Sequence, residues 1–386
     1  MSNVHESRKT LADAGVPRGE TTPERGHERF TGRSGLCSTE GMADILHRNR
    51  RAVSIEDDAV RLTVLVEGGH VAEILDKETG VNPLWTPPWL SIEPSAYSRE
   101  RNPEYGDGAE SKLLAGIMGH NLCMDIFGGV SEEEAAAGLT VHGEASVVPY
   151  EIEARGVELA ARTVLPNAQL RIERRLRLPG AGVVRFSETV ENLTAADRPI
   201  GWTQHVTLGP PFLEKGRTEF RAPSARSEPL ESGGAGDFHL FTKAAVSGGF
   251  TTHLMDPARE RAFFAAFSPA LQVLFGYVWK RSDFPWLGVW EENYVRTQPP
   301  WSGRTLTRGM EFGVSPVPEP RRRMIERNGM FGVPGFRWIS ARSRVRVDYC
   351  AFIRRAGSIA DEVLWDGGNA VTTTATPRDP HSRPIE

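Results

Sequence analysis

The chain has 386 residues, of which 39% are hydrophobic, and this length and composition are typical of a globular protein with a substantial core. Its 46 Lys and Arg residues nearly balance its 50 Asp and Glu residues, and the net charge of -4 excludes the strongly basic field of nucleic-acid-binding proteins. No apolar run is long enough for a transmembrane helix, and the polar segment Met1–Arg18 lacks the apolar stretch of a signal peptide. We therefore predict a cytoplasmic protein without a nucleic-acid or membrane partner.

The cysteine content excludes two further classes of protein. Only Cys37, Cys123 and Cys350 occur, an odd number without a Cys-x-x-Cys spacing. This pattern argues against a disulfide framework and against a cysteine-ligated zinc site. We predict free thiols, two of them buried.

The two ends of the chain differ in composition from its middle. Residues 1–48 are rich in Arg, Glu, Gly, Thr and Ser, and residues 367–386 in Thr, Pro and Arg, so we predict a disordered leader and a disordered tail. No linker rich in Pro, Gly and Ser interrupts residues 49–366, for which we predict a single domain. The 39 Gly and 27 Pro then mark turns within that domain.

Alternation of apolar and polar residues dominates the middle of the chain and predicts β-strands. A glycine pair, Gly68–Gly69, separates two such runs and predicts a hairpin. The predicted strands cover residues 62–66, 71–75, 146–154, 157–164, 170–178, 184–190, 203–208, 262–267, 271–278 and 345–353.

Helical signals are few and short. Ser131 and Glu134 form a capping box that opens a helix over 132–137, and Ser358 is predicted to begin one or two last helical turns through Trp365. Many strands and almost no helix predict an all-β fold, a mainly antiparallel sandwich or barrel.

The common nucleotide, zincin and hydrolase motifs are absent, so we predict no cofactor and no metal. His142 follows the short helix, His205 lies in a strand, and Glu291 follows an apolar run that contains two tryptophans. Apolar surroundings raise the pKa of a carboxyl group, which is how a general base near neutral pH arises. Taken singly, a histidine in a strand is more often structural, and periodicity does not show that the three residues converge.

Several short motifs follow one another along the chain. They are Leu139–Gly143, then Asn192–Thr194 followed by Thr203–His205, then Trp290–Asn293, and last Leu306–Glu311. In this order they resemble segments of the aldose 1-epimerases, the galactose mutarotase family. The resemblance implies a large antiparallel β-supersandwich with few short helices. It also implies an isomerase that interconverts the α and β anomers of an aldose by acid–base ring opening.

The resemblance also implies roles for individual residues. His205 corresponds to the catalytic acid of the family, Glu291 to its catalytic base and His142 to a histidine that binds the sugar. Glu292 is the register alternative to Glu291, because neighbouring residues in a strand face opposite sides of the sheet. Further expected sugar contacts are His120, Trp202 and Trp290.

Two departures from the family pattern keep other functions open. The sugar-binding Arg and a substrate-binding Asp of the family have no clear equivalents, which favours a catalytically idle carbohydrate-binding protein as an alternative. A glycoside hydrolase or lyase on the same sandwich is another, and it needs a second carboxylate, for which Glu144, Glu311 and Asp125 are candidates. In each case the expected partner is a small-molecule sugar, and the protein is expected to be a monomer or homodimer. Gly143 and Gly288 are expected to leave room for the sugar.

Overall fold

The protein is described as a computed structural model that covers residues 45–230 and 236–375. The first strands are β1 Ile45–His47, β2 Arg50–Glu56, β3 Val60–Leu65, β4 Val71–Asp76, β5 His120–Asp125, β6 Glu151–Arg155, β7 Glu158–Leu165, β8 Leu170–Gly180, β9 Val183–Asn192 and β10 Arg198–Leu208. They are followed by β11 Glu219–Arg221, β12 Ser224–Pro229, β13 Ser247–Met255, β14 Arg261–Ser268, β15 Val273–Lys280, β16 Trp286–Asn293, β17 Leu306–Gly313, β18 Arg337–Ile339, β19 Arg344–Arg355, β20 Glu362–Trp365 and β21 Val371–Thr374. The helices are α1 Ser111–Leu114, α2 Glu132–Ala136 and α3 Arg321–Arg327.

The strands form two large antiparallel sheets. The larger sheet has eleven strands in the order β1-β2-β3-β4-β5-β10-β17-β16-β13-β12, with β18 paired to β10. The smaller sheet has eight strands in the order β11-β14-β15-β19-β9-β8-β7-β6. The last two strands, β20 and β21, form a separate ribbon.

The main hydrophobic core contains side chains from both large sheets. On β10, Trp202, Val206 and Leu208 belong to this core, together with Met310 of β17 and Leu287 of β16. Because successive side chains of a strand point to opposite faces, the residues between these positions lie on the outer face of the eleven-stranded sheet. This outer face carries the candidate site.

The all-β antiparallel fold predicted from the alternation is confirmed. The hairpin at Gly68–Gly69 and the capping box of α2 are both present, with Ser131 accepting from the backbone N–H of Glu134. The strand predicted over 146–154 begins only at Glu151, as β6. Its predicted first residue, Ser146, belongs to a 3-10 turn, Glu144–Ser146.

Two predictions at the C-terminal end are wrong. Ser358–Trp365 contains no helix, because Val363 and Trp365 alternate with more exposed neighbours and pack on a second apolar cluster as part of β20. Strand β21 lies beyond residue 366, so ordered structure continues into the predicted tail. At the other end, β1 lies within the predicted leader and pairs with β2. The rest of both segments, residues 1–44 and 376–386, lies outside the described residues.

Cys123 and Cys350 are buried free thiols, as expected, and Cys37 lies outside the described residues. Burial raises the pKa of Cys123 well above its ordinary value and that of Cys350 to about 12, so neither thiol is activated. In the part of the chain that the structure covers, no helix is long and apolar enough to cross a membrane.

Candidate active site

A cavity of about 260 Å³, here called the central cavity, lies on the outer face of the eleven-stranded sheet. Its floor is set by strand register: His205 of β10 pairs with Glu311 of β17, which in turn pairs with Gly288 of β16. Directly paired residues of neighbouring strands project to the same face, so Thr207 and Trp290 join this floor. The loops that cover this face supply the walls.

His205 and Glu311 form a buried pair at the base of the cavity. Nε2 of His205 lies 3.1 Å from Oε1 of Glu311, and both side chains are almost fully buried. Burial raises the pKa of Glu311 to about 8 and lowers the pKa of His205 to about 4. At neutral pH the Glu311 carboxyl group therefore keeps its proton and donates it to Nε2. The other ring nitrogen, Nδ1, then donates to the hydroxyl oxygen of Thr207 at 3.0 Å.

His142 reaches the same cavity from the loop after α2. Its ring centroid lies 4.7 Å from that of His205, and its Nδ1 accepts a hydrogen bond of 3.3 Å from the backbone N–H of Gly128. Burial, and next the neighbouring His205, hold its pKa well below the ordinary value. The imidazole is therefore neutral, with its proton on Nε2, which makes it a hydrogen-bond donor.

The turn that holds His142 depends on a glycine. His142 has a φ of 66° and Gly143 a φ of 77°, a left-handed conformation that favours glycine. A Cβ at Gly143 would also collide with the carbonyl oxygen of Met124 on β5. Gly143 therefore allows the loop to lie directly against the sheet, which brings His142 to His205.

Aromatic rings and one cation form the remaining walls. The rings of Trp85 and Trp301 are stacked, with centroids 6.1 Å apart, and Trp290 lies 6.0 Å from Trp301. The guanidinium of Arg296 lies 4.7 Å from the centroid of Trp301 and is paired with Glu110 at 3.8 Å. Apolar ring faces beside a few polar groups are typical of a pocket for a small organic ligand. Within residues 45–230 and 236–375, no group of three or more His, Cys, Asp or Glu could hold a metal ion.

Comparison with known proteins identifies the fold. No protein-family model matches the sequence, and no curated protein matches it. A candidate aldose 1-epimerase from Klebsiella pneumoniae is similar with a TM-score of 0.63 and 16% identity, over 80% of each chain. A galactose mutarotase related enzyme from Lactobacillus acidophilus is similar with a TM-score of 0.54 and 9% identity, over 79% of this chain and 98% of that one.

A galactose mutarotase-like protein from Clostridium acetobutylicum gives a third match, with a TM-score of 0.54 and 12% identity, over 81% of this chain and 98% of that one. The chain has the galactose mutarotase-like fold. At these identities the likeness concerns the fold, and the chemistry must be argued from the side chains of this chain.

In this galactose mutarotase-like fold, three of the six predicted site residues line the central cavity. They are His142, His205 and Trp290. The other three, Glu291, His120 and Trp202, do not line it, because each lies on the opposite face of the same sheet.

Glu291 pairs with Arg308 in the register of β16 and β17, one position away from the face that carries His205. Its Oε1 accepts a hydrogen bond of 2.9 Å from Nε of Arg308, and both side chains are fully buried. The register alternative, Glu292, lies on the face of His205, but its Oε1 accepts from the backbone N–H groups of Val295 and Arg296. Both glutamates therefore have structural partners.

His120 and Trp202 belong to a polar network behind the sheet. His120 contacts Gln204 Oε1 at 2.9 Å and the hydroxyl of Tyr277, on the other sheet, at 3.0 Å. The indole N–H of Trp202 donates to Glu188 at 3.2 Å. These contacts join the two sheets through the core. His120 and Trp202 therefore do not line the central cavity, and the expectation that they contact the sugar is corrected.

Other expectations about the site also change. Glu144 accepts from the backbone N–H groups of Asn167 and Ala168, and Asp125 is paired with Arg198, so neither of these candidate carboxylates lines the cavity. A Cβ at Gly288 would meet the ring of Phe250, so this glycine makes room for a phenylalanine rather than for a sugar.

Glu311 was expected only as a candidate second carboxylate of a glycoside hydrolase or lyase, and several residues of the walls were not predicted. The sequence does contain a signal for Glu311. It lies between Met310 and Phe312 in a strand, so its side chain points to the face opposite these two apolar residues, and it is the one acid of that strand. The missed wall residues are Trp85, Glu110, Arg296 and Trp301. They lie in loops, where no periodicity indicates which way a side chain points.

Proposed function

We propose that this protein is an aldose 1-epimerase-like isomerase that interconverts the α and β anomers of an aldose, with Glu311 and His205 as its acid–base pair. The observation that carries the proposal is the 3.1 Å contact between Oε1 of Glu311 and Nε2 of His205 at the base of a cavity. A proton donor and a proton acceptor this close can act on two oxygens bonded to one carbon. The anomeric hydroxyl and the ring oxygen of an aldopyranose are such a pair.

The reaction then follows from the protonation states. The Glu311 carboxyl group gives its proton to the ring oxygen while Nε2 of His205 takes the proton of the anomeric hydroxyl. The bond between C1 and the ring oxygen breaks, and an aldehyde forms at C1. After rotation about the C1–C2 bond, His205 returns its proton to the aldehyde oxygen. Glu311 recovers its own proton from the sugar hydroxyl as the ring closes on the other face. Each group serves once as acid and once as base.

This assignment differs from the roles that the resemblance implied. There His205 is the acid and Glu291 the base; here a neutral His205 is the first acceptor and Glu311 the first donor. The difference rests on burial, which favours the uncharged form of both groups.

The cavity walls supply positions for the sugar. His142 offers an N–H group next to the acid–base pair, and Arg296 brings a cation, a charge that the family pattern places elsewhere in the sequence. The faces of Trp290 and Trp301 can cover the C–H faces of the ring. The cytoplasmic location, the absence of a cofactor and the monomeric or homodimeric state stay predictions.

We expect the purified protein to accelerate exchange between the anomers of at least one simple aldose. Proton NMR saturation transfer on glucose, galactose, mannose and xylose measures this exchange directly in a weakly catalytic buffer. His205→Asn is the control, because it removes the proton acceptor but keeps a polar side chain of similar size. Failure of the protein to accelerate exchange in any of the sugars contradicts the proposal.

We expect a bell-shaped pH dependence of kcat/KM, with a plateau between about pH 4 and about pH 8. Below the plateau His205 takes up a proton and cannot accept one, and above it Glu311 loses the proton that it must donate. The limits belong to the coupled pair rather than to either residue alone. Polarimetry across pH 3.5 to 9.5, corrected for the buffer-catalysed reaction, checks this, and a rate that rises steadily through pH 9 contradicts it.

One observation favours a second candidate function. Glu110 and Glu311 both line the central cavity, and glycoside hydrolysis uses two carboxyl groups. Release of reducing sugar from aryl glycosides or oligosaccharides, without anomer exchange of free aldoses, would favour this candidate. Sugar binding by calorimetry without either reaction would instead indicate the idle binding protein.

A further inference from the structure

One side of the central cavity is formed by two segments that are distant in the chain. Pro318 and Gly128 both line the cavity. The segment that begins with Pro318, residues 318–321 and here called the cover segment, forms an antiparallel backbone bridge between Glu319 and Phe127. A Cβ at Gly128 would collide with the backbone of Pro318 and Glu319. The cover segment therefore lies in direct backbone contact with Phe127 and Gly128.

His142 is held by the same two residues that the cover segment contacts. Its backbone N–H donates to the carbonyl of Gly128 at 2.9 Å, and its Nδ1 accepts from the backbone N–H of Gly128 at 3.3 Å. Its ring is stacked on that of Phe127, with the centroids 6.3 Å apart and an angle of 24° between the planes. The orientation of the His142 ring therefore depends on where Phe127 and Gly128 lie.

Arg321, the last residue of the cover segment, is attached at two points. Its guanidinium contacts the carboxylate of Asp125, the last residue of β5. Its backbone N–H donates to Oε1 of Glu134 in α2 at 3.3 Å. Asp125 precedes residues 127–128 in the chain and Glu134 follows them. Arg321 therefore anchors, from both sides, the stretch of chain that orients His142.

The guanidinium of Arg321 can be removed without leaving a buried charge unpaired. The carboxylate of Asp125 is buried, and a second cation, Arg198, lies 2.8 Å from its Oδ2. A variant that lacks only the Arg321 guanidinium is therefore expected to fold. Arg321 does not line the central cavity, so it can affect a bound sugar only through the residues that it contacts.

We propose that Arg321 is a positioning residue that fixes the ring orientation and the tautomer of His142 through Asp125 and the cover segment. The role of His142 toward the sugar rests on the proposed function. With Arg321 in place, Nδ1 of His142 faces the N–H of Gly128, and the proton stays on Nε2, where it is available to a sugar hydroxyl. Without the Arg321 guanidinium, the ring is no longer held in one orientation and both tautomers are populated.

The tautomer of His142 is measured without any sugar. Long-range proton–nitrogen NMR on protein labelled with ¹⁵N at histidine distinguishes the two tautomers, and His142→Gln identifies the signals. We expect only the Nε2–H form in the wild type and a mixture of both forms in the neutral variants Arg321→Met and Arg321→Gln. Arg322→Ala, at the exposed next position of α3, is the matched control and should keep the wild-type pattern. The buried His70 is the internal reference and should not change in any of these variants.

Kinetics test the consequence for the sugar. On the aldose that the wild type exchanges fastest, Arg321→Met should raise KM about three- to tenfold and change kcat by less than about twofold. The reason is that one hydrogen bond is lost from the ground state and the transition state alike. Arg321→Lys keeps a cation for Asp125 and should recover most of the wild-type KM. In a His142→Gln background, Arg321→Met should add little, because both changes remove the same hydrogen bond.

Three results would overturn the inference. They are a wild-type tautomer pattern of His142 in both neutral variants, His70 signals that change together with those of His142, and an effect of Arg321→Met on KM that is undiminished in the His142→Gln background. If no sugar shows anomer exchange, the proposed function has failed, and the NMR comparison alone decides. A tautomer mixture confined to His142 then still supports Arg321 as a positioning residue.

Discussion

Glu311→Gln is expected to lower kcat for anomer exchange by about 10²- to 10⁴-fold while the protein stays folded. Glutamine keeps the shape of the side chain and can still contact Nε2 of His205, but its amide gives up no proton to the ring oxygen. The KM of the sugar should change little, because the walls of the cavity are untouched. Polarimetry on the aldose that the wild-type protein exchanges fastest measures kcat and KM, and circular dichroism checks that the variant is folded.

A stability measurement provides an independent control for the same variant. The pKa of Glu311 is raised from 4.5 to about 8, so its contribution to stability is full below about pH 4.5 and is lost as the pH rises through about 8. The variant has no such group, so it should gain stability relative to the wild type between pH 5 and pH 9 in urea denaturation. A variant that retains wild-type kcat would refute the assignment of Glu311.

Glu291→Gln is expected to have the opposite profile, a loss of stability with catalysis retained in the molecules that fold. The substitution leaves the guanidinium of Arg308 buried without its carboxylate, and removing one partner of a buried ion pair costs about 3–5 kcal/mol. Arg308 also donates to the carbonyls of Phe238 and Asp237, which hold it in place after the pair is broken. Urea denaturation at pH 7 measures the loss.

The double variant Glu291→Leu/Arg308→Met tests whether the loss of stability comes from the unpaired charge of Arg308. It removes both charges together, so it should recover most of the stability that Glu291→Gln loses. If Glu291→Gln instead folds normally and loses anomer exchange, Glu291 is the catalytic base that the family resemblance implied. Comparison of Glu291→Gln with Glu311→Gln therefore decides between the two carboxylates.

The two histidines of the site could be predicted from the sequence, whereas Glu311 was only one of several candidate carboxylates. His142 and His205 stand in short motifs whose order along the chain carries the family resemblance. Glu291 matches the third motif by residue type, yet a shift of one residue in a strand moves a side chain to the other face of the sheet. The register of β16 against β17 assigns Glu291 to Arg308 and the core side, and Glu311 to the side of His205.

By itself, the amino-acid sequence determined the all-β class, the antiparallel strands and the hairpin at Gly68–Gly69, because these follow from local alternation and turn residues. The tertiary structure decided which face of the large sheet carries the cavity and which acid lies beside His205. It also decided that Trp85 and Trp301 share that cavity. The physical reason is that register and loop packing depend on contacts between residues far apart in the chain, such as His205 and Glu311, which a local pattern does not encode.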